Sequence, residues 1–292
     1  MKPSLAELAR TVLAPKHIGP VATVWSNCIA GWWLGGGGDF RSLPFLFGGA
    51  TLIFWGGGLL IQAFTGVFEP QPRLGAHALG RKAIWTLSLA LSTAGLLLFV
   101  WLSAAAVMLG VALVSLLVFS SFLGWQPALS PVVNGLFRFL LYLLAASVGQ
   151  EGVTGWPIWC GFALGCYVAG AGYLEAATPT AKRAWAIPLL GIPVLLALLM
   201  DTGPFRESGL LLSALLVLWV LRGLRPVFWP GEPDLSATPR ELLTGIVLVD
   251  WLAACPAMSR FGEATQLPRA VSFAFIGFLL LAFLFQHAAR EE

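Results

Sequence analysis

Residues 56–82 read GGGLLIQAFTGVFEPQPRLGAHALGRK. The first half is apolar and closes a run that begins near residue 43. The second half holds Pro70, Pro72, Arg73, Arg81 and Lys82. At 1.5 Å per residue, a helix over 43–68 is long enough to cross the roughly 30 Å hydrocarbon core of a bilayer. The stretch therefore reads as the end of a transmembrane helix entering a basic loop. Gln62, Thr65 and Glu69 stand at the seam, one or two helical turns apart. Spacings near i, i+4 and i+8 bring such side chains close to one helix face.

The pattern repeats along the chain. Of 292 residues, 58% are hydrophobic and 11% charged, and mean hydropathy is +0.84. A soluble domain carries about a quarter charged residues, so a water-soluble globule is excluded. Apolar segments at about 18–36, 43–68, 83–103, 105–122, 131–149, 155–175, 184–200, 207–222, 240–256 and 270–288 predict ten spans. The ninth is the weakest, with Asp250 near its middle and Pro256 at its end; without it there are nine. The expectation is an all-α, polytopic membrane helix bundle forming one domain over 1–292. Residues 1–17 form a cytoplasmic amphipathic segment (Leu5, Leu8 and Val12 on one side), and 223–239 a Pro-rich cytoplasmic loop. No short apolar stretch with a small-residue cleavage site marks a signal peptide.

Basic residues orient the bundle. With the N-terminus inside, 12 of the 17 Lys and Arg lie in cytoplasmic segments, four lie outside (Arg41, Arg206, Arg260, Arg269), and Arg138 falls within a span. This is a positive-inside bias, and the expected location is the inner membrane of a bacterium. Net charge is only +3 and is spread over loops, so nucleic acid is not an expected partner.

Cys28, Cys160, Cys166 and Cys255 lie in apolar runs without metal spacing and read as buried thiols; His17, His77 and His287 are scattered. Trp32, Trp33, Trp156 and Trp159 are expected in an outer aromatic belt, Trp85 and Trp185 in an inner one. Recurrent glycines read as close helix packing within one bundle rather than as a dimerisation motif. The GGGG at 35–38 lacks the Lys-Ser/Thr of a P-loop and reads as a flexible outer loop.

Asn27, Asn134, Arg138 and Asp250 are polar groups inside predicted spans. Ionisable groups at such depth face the bundle interior and find partners. Asp250 is the first candidate partner for Arg138, and the two asparagines are expected to hydrogen-bond across helices. An interhelical structural role outweighs a ligand-holding one.

The second and sixth spans run from the outer face to a cytoplasmic loop, and each ends in a carboxylate, Glu69 or Glu175. Arg73, Arg81 and Lys82 follow the first, and Lys182 and Arg183 the second. Together with the span count, Ala14-Pro15 followed by VATVWSNCIAGWW, the Gly80-Arg81 pair and FRFLLYL at 137–143, this order resembles the UbiA-type intramembrane prenyltransferases. The resemblance implies a bundle around a central cavity. Aspartates there hold Mg2+, Mg2+ holds the diphosphate of an isoprenyl donor, and basic loop residues such as Arg81, Lys82, Lys182 and Arg183 help neutralise it. Hard divalent cations bound by carboxylate oxygens suit such a leaving group.

The chain departs from that family where the metal should sit. In the family the second helix ends in Asn-Asp-x-x-Asp-x-x-x-Asp. Here the Asn position is Ile61 and the aspartate positions are Gln62, Thr65 and Glu69. The second motif is reduced to GYLEAATPTAKR, with Glu175 as its acid, and Ala14 replaces the usual Arg before the early proline. Glu69 and Glu175 are the remaining candidates for a metal. The expected function is a UbiA-like protein that has lost metal-dependent prenyl transfer. It would hold an isoprenoid, quinone, carotenoid or chlorophyll-type molecule among the membrane lipids, or serve as a structural subunit beside other membrane subunits. The alternative is an active, divergent, Mg-dependent prenyltransferase acting on an aromatic or lipid acceptor. A transporter is the weakest reading, for want of an inverted repeat and a chain of intramembrane acids.

Overall fold

At the centre stands α1 (Pro15–Leu34), whose side chains from Val21 to Leu34 are buried almost throughout. The computed structural model describes residues 15–68, 81–123, 129–175, 180–200, 206–228, 237–257 and 267–291. Side chains are described over 20–61, 82–121, 129–174, 186–199, 207–225, 241–255 and 270–284. Around α1 follow α2 (Ser42–Phe68), α3 (Arg81–Val100), α4 (Ala104–Leu123), α5 (Ser130–Ala146), α6 (Gly155–Glu175), α7 (Thr180–Met200), α8 (Arg206–Phe228), α9 (Ala237–Thr244), α10 (Ile246–Ala257) and α11 (Leu267–Glu291). No strand occurs among the described residues.

By length and composition α2, α3, α4, α6 and α8 can each cross a membrane, and α5, α7 and α11 carry shorter apolar runs. The outer surface is apolar as well: Leu97, Trp101, Met108, Leu199, Leu211 and Phe273 are exposed. Such a surface in water is an aggregation liability; against lipid it costs nothing. Helix α1 packs on α2, α5, α6, α10 and α11, so its solvent is protein. That is why it tolerates Thr23, Ser26 and Asn27, all buried.

Small residues let the helices approach, as the sequence pattern predicts. A Cβ on Gly135 of α5 would strike the carbonyl of Gly165 on α6, and one on Gly49 of α2 the ring of Phe99. Ser88 of α3 donates to the Gly56 carbonyl of α2 at 2.6 Å.

Three expectations change. The ninth span is split: α9 ends at Thr244, Gly245 forms a turn, and α10 restarts at Ile246. The Gly245 amide donates to Leu242, three residues back, at 2.9 Å. Carbonyls freed at the break are met from neighbouring helices: Tyr167 donates to Leu242 at 2.8 Å and Trp219 to Glu241 at 2.9 Å. A Cβ at Gly245 would overlap the Tyr167 hydroxyl. Secondly, the GGGG loop is held rather than flexible. Gly36, Gly37 and Gly38 have φ of 91, 64 and 140°, which glycine adopts without steric cost. Gln150 N–H donates to Gly37 C=O at 2.9 Å and Glu151 N–H to Gly35 C=O at 2.8 Å. Thirdly, Trp32 and Trp33 are each 1% exposed, packed in the core and not in a belt.

The bonded loops fix a relation that matters for the site. They join the C-terminal ends of α1 and α5 to the N-terminal ends of α2 and α6 at one end of the bundle. Helices α2 and α6 therefore leave that end in the same direction, and Phe68 and Glu175 close them at the other. Helix α8 continues through Phe228, so the Pro-rich loop begins later than residue 223. Residues 1–14, 69–80 and 176–179 lie outside the described residues, and with them Glu69, most of the segment expected to be amphipathic and most of both loops expected on the cytoplasmic side.

Candidate functional site

Three helices place a buried polar chain beside one another. Helix α1 supplies Thr23, Ser26 and Asn27, α5 supplies Arg138, and α10 supplies Asp250. Arg138 donates through Nη1 to Asn27 Oδ1 at 2.8 Å and through Nη2 to Thr23 Oγ1 at 2.9 Å. Thr23 passes its own proton to the Pro20 carbonyl at 2.7 Å. Asn27 Nδ2 donates to Asp250 Oδ2 at 2.7 Å, and Ser26 Oγ donates to the same oxygen at 2.5 Å. The guanidinium also lies 5.9 Å from the centroid of the Phe54 ring on α2, within cation–π range.

The expected pair of Arg138 and Asp250 is thus real as a charge relation but indirect. The amide of Asn27 lies between them, oxygen toward the cation and nitrogen toward the anion. Asparagine suits that place because it accepts at one end and donates at the other. Leucine would break both bonds, and aspartate would offer Asp250 no donor. Asn134 does not join: it is exposed, one turn before Arg138. Its neighbour Gly135 turns onto Gly165 of α6 and leaves Asn134 on the outside.

The chain is not closed. Asp250 Oδ1 and the Tyr142 hydroxyl are buried without a hydrogen-bond partner among the described residues. Both residues are 0% exposed. Leaving such groups unpaired costs about 1–3 kcal/mol each, more for a charge. Cys160 lines an apolar crevice with Trp156, Ala163, Leu196, Val249 and Leu252, between α6, α7 and α10.

The remaining candidates are placed less fully. Gln62 and Thr65 belong to the last turns of α2 and Glu175 ends α6, but their side chains lie outside the described residues. So do those of Arg81, Lys182 and Arg183. Lys82 is exposed in the first turn of α3. Whether Glu69 and Glu175 meet at one metal falls outside the described residues. Among the described residues no three of His, Cys, Asp and Glu come together. Cys28, Cys160 and Cys255 are buried and Cys166 is half-buried.

Helix α2 itself links the two regions. Phe54 and Gly58 are four residues apart, about 40° around the helix, and Thr65 returns to the same face. Phe54 touches Phe137 and Arg138. At Gly58 no described atom stands within 4 Å of where a Cβ would be. The α2 face that carries Phe54 and Gly58 therefore lies beside the polar chain.

Sequence reasoning missed Thr23, Ser26 and Tyr142 as members of the site. For Ser26 and Thr23 a signal existed: they flank Asn27 within about one turn of a helix that needs no polar residues for lipid. Comparison with protein-family models, curated proteins and solved structures finds no match.

Proposed function

We propose that this chain is a UbiA-like membrane bundle that has lost metal-dependent prenyl transfer and holds an isoprenoid, quinone or pigment-type molecule, alone or as a subunit of a membrane complex. The observation that carries the reading is that no described atom stands within 4 Å of where a Cβ on Gly58 would be. Gly58 lies on the α2 face between Phe54, under Arg138, and the positions where the resemblance expects aspartates. The parallel course of α2 and α6 supports it, because it brings the ends of both helices to one side of the bundle. With α9 and α10 as one broken crossing, the helices make ten passes. The N-terminus is then cytoplasmic by the positive-inside bias, in a bacterial inner membrane.

A buried Arg–Asn–Asp chain devotes ionic groups to holding α1, α5 and α10 together. A ligand of the expected kind needs only an apolar lining and a few polar contacts. The test is mass spectrometry of small molecules carried through purification in mild detergent, together with the co-purifying chains. A stoichiometric isoprenoid, quinone or pigment, or a defined partner subunit, is the expected result. Protein that is free of both and stable alone would refute the reading.

A further inference from the structure

Helix α8 carries near its end two cations that no acid neutralises. Arg222 and Arg225 are both exposed, and a separation of three residues sets them about 60° apart around the helix and about 4.5 Å apart along it. Among the described residues no carboxylate forms an ion pair with either. The side of α8 that carries them is otherwise apolar, with Leu211, Leu215, Leu218 and Leu221 exposed on it. The two arginines close a stretch, Glu207–Arg225, that is long and apolar enough to cross a membrane. They therefore stand where hydrocarbon gives way to headgroups.

Arg222 is held in place there. Its guanidinium lies 5.9 Å from the centroid of the Trp219 ring, within cation–π range. The ring is itself fixed from two sides. Trp219 Nε1 donates to the Glu241 carbonyl at 2.9 Å, and Phe283 of α11 meets the ring edge-on at 6.5 Å. A long cationic side chain loses rotamer freedom when it binds an anion, and a cation already seated on a ring loses less. The ring contact consumes no N–H donor, so the planar fork stays available for two phosphate oxygens.

The adjoining surface suits an acyl chain. Helices α8 and α11 both pack on α9, and Trp219 and Phe283 bridge the two. Leu280, Phe283 and Leu284 of α11 are exposed beside the leucines of α8. Leu218, Leu215 and Leu211 follow Arg222 at about 6 to 16 Å along the helix, close to the roughly 15 Å depth of one leaflet's hydrocarbon. Charge selects the head. A zwitterionic phospholipid brings a cation with its phosphate, which the second arginine repels; a phospholipid of net negative charge brings none.

We propose that Arg222 and Arg225 bind the phosphate of an anionic phospholipid whose acyl chain lies along Leu218, Leu215 and Phe283, with Trp219 as the platform that positions Arg222. The site requires that α8 cross a membrane and nothing of what the bundle interior holds.

The experiment titrates the full chain, in mild detergent, with phosphatidylglycerol or phosphatidylcholine of identical acyl chains and reads bound lipid by native mass spectrometry. The first phosphatidylglycerol is expected to bind about tenfold or more tightly than the first phosphatidylcholine. Arg222→Ala and Arg225→Ala should each weaken phosphatidylglycerol about fivefold, the share of one interfacial cation, and leave phosphatidylcholine unchanged. Arg222→Lys keeps the charge without the fork and should fall between parent and alanine. Arg41→Ala, exposed between α1 and α2, removes the same charge and should change nothing. Trp219→Leu should weaken phosphatidylglycerol in the parent and not in Arg222→Ala, because it acts through that arginine. Glycerophosphate, a head without chains, should not displace the lipid even in large excess. Equal affinity for the two lipids, indifference to both alanine changes, an equal loss in Arg41→Ala, or displacement by glycerophosphate overturns the lipid site. Additive losses from Trp219→Leu and Arg222→Ala overturn the role of Trp219. None of these outcomes bears on a ligand inside the bundle.

Discussion

Arg138 reaches Asp250 through the side-chain amide of Asn27, so three helices share one charge relation. A direct pair would be tested by two substitutions; this one requires three. Arg138→Leu and Asp250→Asn each leave the opposite charge unbalanced, and each is expected to cost about 3–5 kcal/mol. Combined, they should cost clearly less than their sum, since neither charge is then left alone. Asn27→Leu should be as harmful as either single change, because both ends of the relay lose a bond. Asn134→Leu, on the exposed side of α5, should stay within about 0.5 kcal/mol. Unfolding in detergent measures all of these, and strict additivity of Arg138→Leu with Asp250→Asn would disprove the coupling.

How far the sequence foretold this depends on what each residue answers to. Helices α2, α3, α4, α6 and α8 are long and apolar enough to cross a membrane, so their long apolar runs reported them directly. Helix α10 faces protein on all sides, so Asp250 weakened its signal without weakening the helix. The break at Gly245 left no local mark, because what permits it is remote: the Tyr167 hydroxyl and the Trp219 indole on α6 and α8. Arg138 and Asp250 were recognisable as a pair by cost alone. The relay by Asn27 depends on which turn of α1 meets α5, and a linear pattern does not hold that. Asn27 and Asn134 looked alike in sequence; packing at Gly135 separates them.

The loop between α1 and α2 gives a test in which the sign of the effect is informative. A Cβ at Gly35 would overlap the carbonyl of Ala146, and one at Gly149 the carbonyl of Gly35. Backbone cannot swing aside as a side chain does, so Gly35→Ala and Gly149→Ala are expected to lower stability by about 1–3 kcal/mol. Gly58→Ala lies within a helix and meets no described atom within 4 Å. Alanine there should raise stability by about 0.5–1 kcal/mol, through helix propensity alone. Unfolding temperatures of the three variants decide the matter: a Gly35→Ala protein as stable as the parent would contradict the bonded pair of loops.

At the break between α9 and α10, removing one donor should loosen a short segment rather than the whole bundle. Tyr167→Phe takes one hydrogen bond from the Leu242 carbonyl, which keeps the Gly245 amide. The expected cost is about 1 kcal/mol, near the net worth of one such bond. Trp219→Phe should act alike on Glu241, preserving an aromatic neighbour for Phe283. Hydrogen exchange read by mass spectrometry should then quicken over residues 241–249 and leave α2 and α3 unchanged. Exchange that quickens everywhere, or nowhere, would show that these donors do not hold the break.

The joined loops also predict a topology. Asp39 and Val153 should lie on one side of the membrane, because the loops that carry them are hydrogen-bonded together. Gln71 and Thr180, beyond the far ends of α2 and α6, should lie on the other. Single cysteines placed at these four positions in cells should divide into two classes toward a membrane-impermeant maleimide, with residues 39 and 153 labelled from outside. The native thiols give little background, since Cys28, Cys160 and Cys255 are buried. Labelling of residue 71 or 180 together with 39 would break the parallel course of α2 and α6.

The last expectation concerns chemistry: no sustained magnesium-dependent prenyl transfer. A diphosphate brings roughly three negative charges into a site walled by hydrocarbon, and leaving them uncompensated costs several kcal/mol or more. Carboxylate clusters that recruit divalent cations are the remedy the resembling family uses. On the proposed reading, the positions of the first cluster hold Gln62, Thr65 and Glu69, and those of the second hold Glu175 as their acid. Magnesium demands six oxygens in near-octahedral array, and two carboxylates leave most of that shell to water and the ligand. Arg81, Lys82, Lys182 and Arg183 can attract a diphosphate without activating it, so weak binding without turnover is the expected result. Purified protein, Mg2+, labelled geranyl, farnesyl and geranylgeranyl diphosphates and a set of aromatic acceptors test this directly. Turnover that persists, and that Glu69→Gln abolishes, would restore the enzyme and end the case for a dismantled metal site.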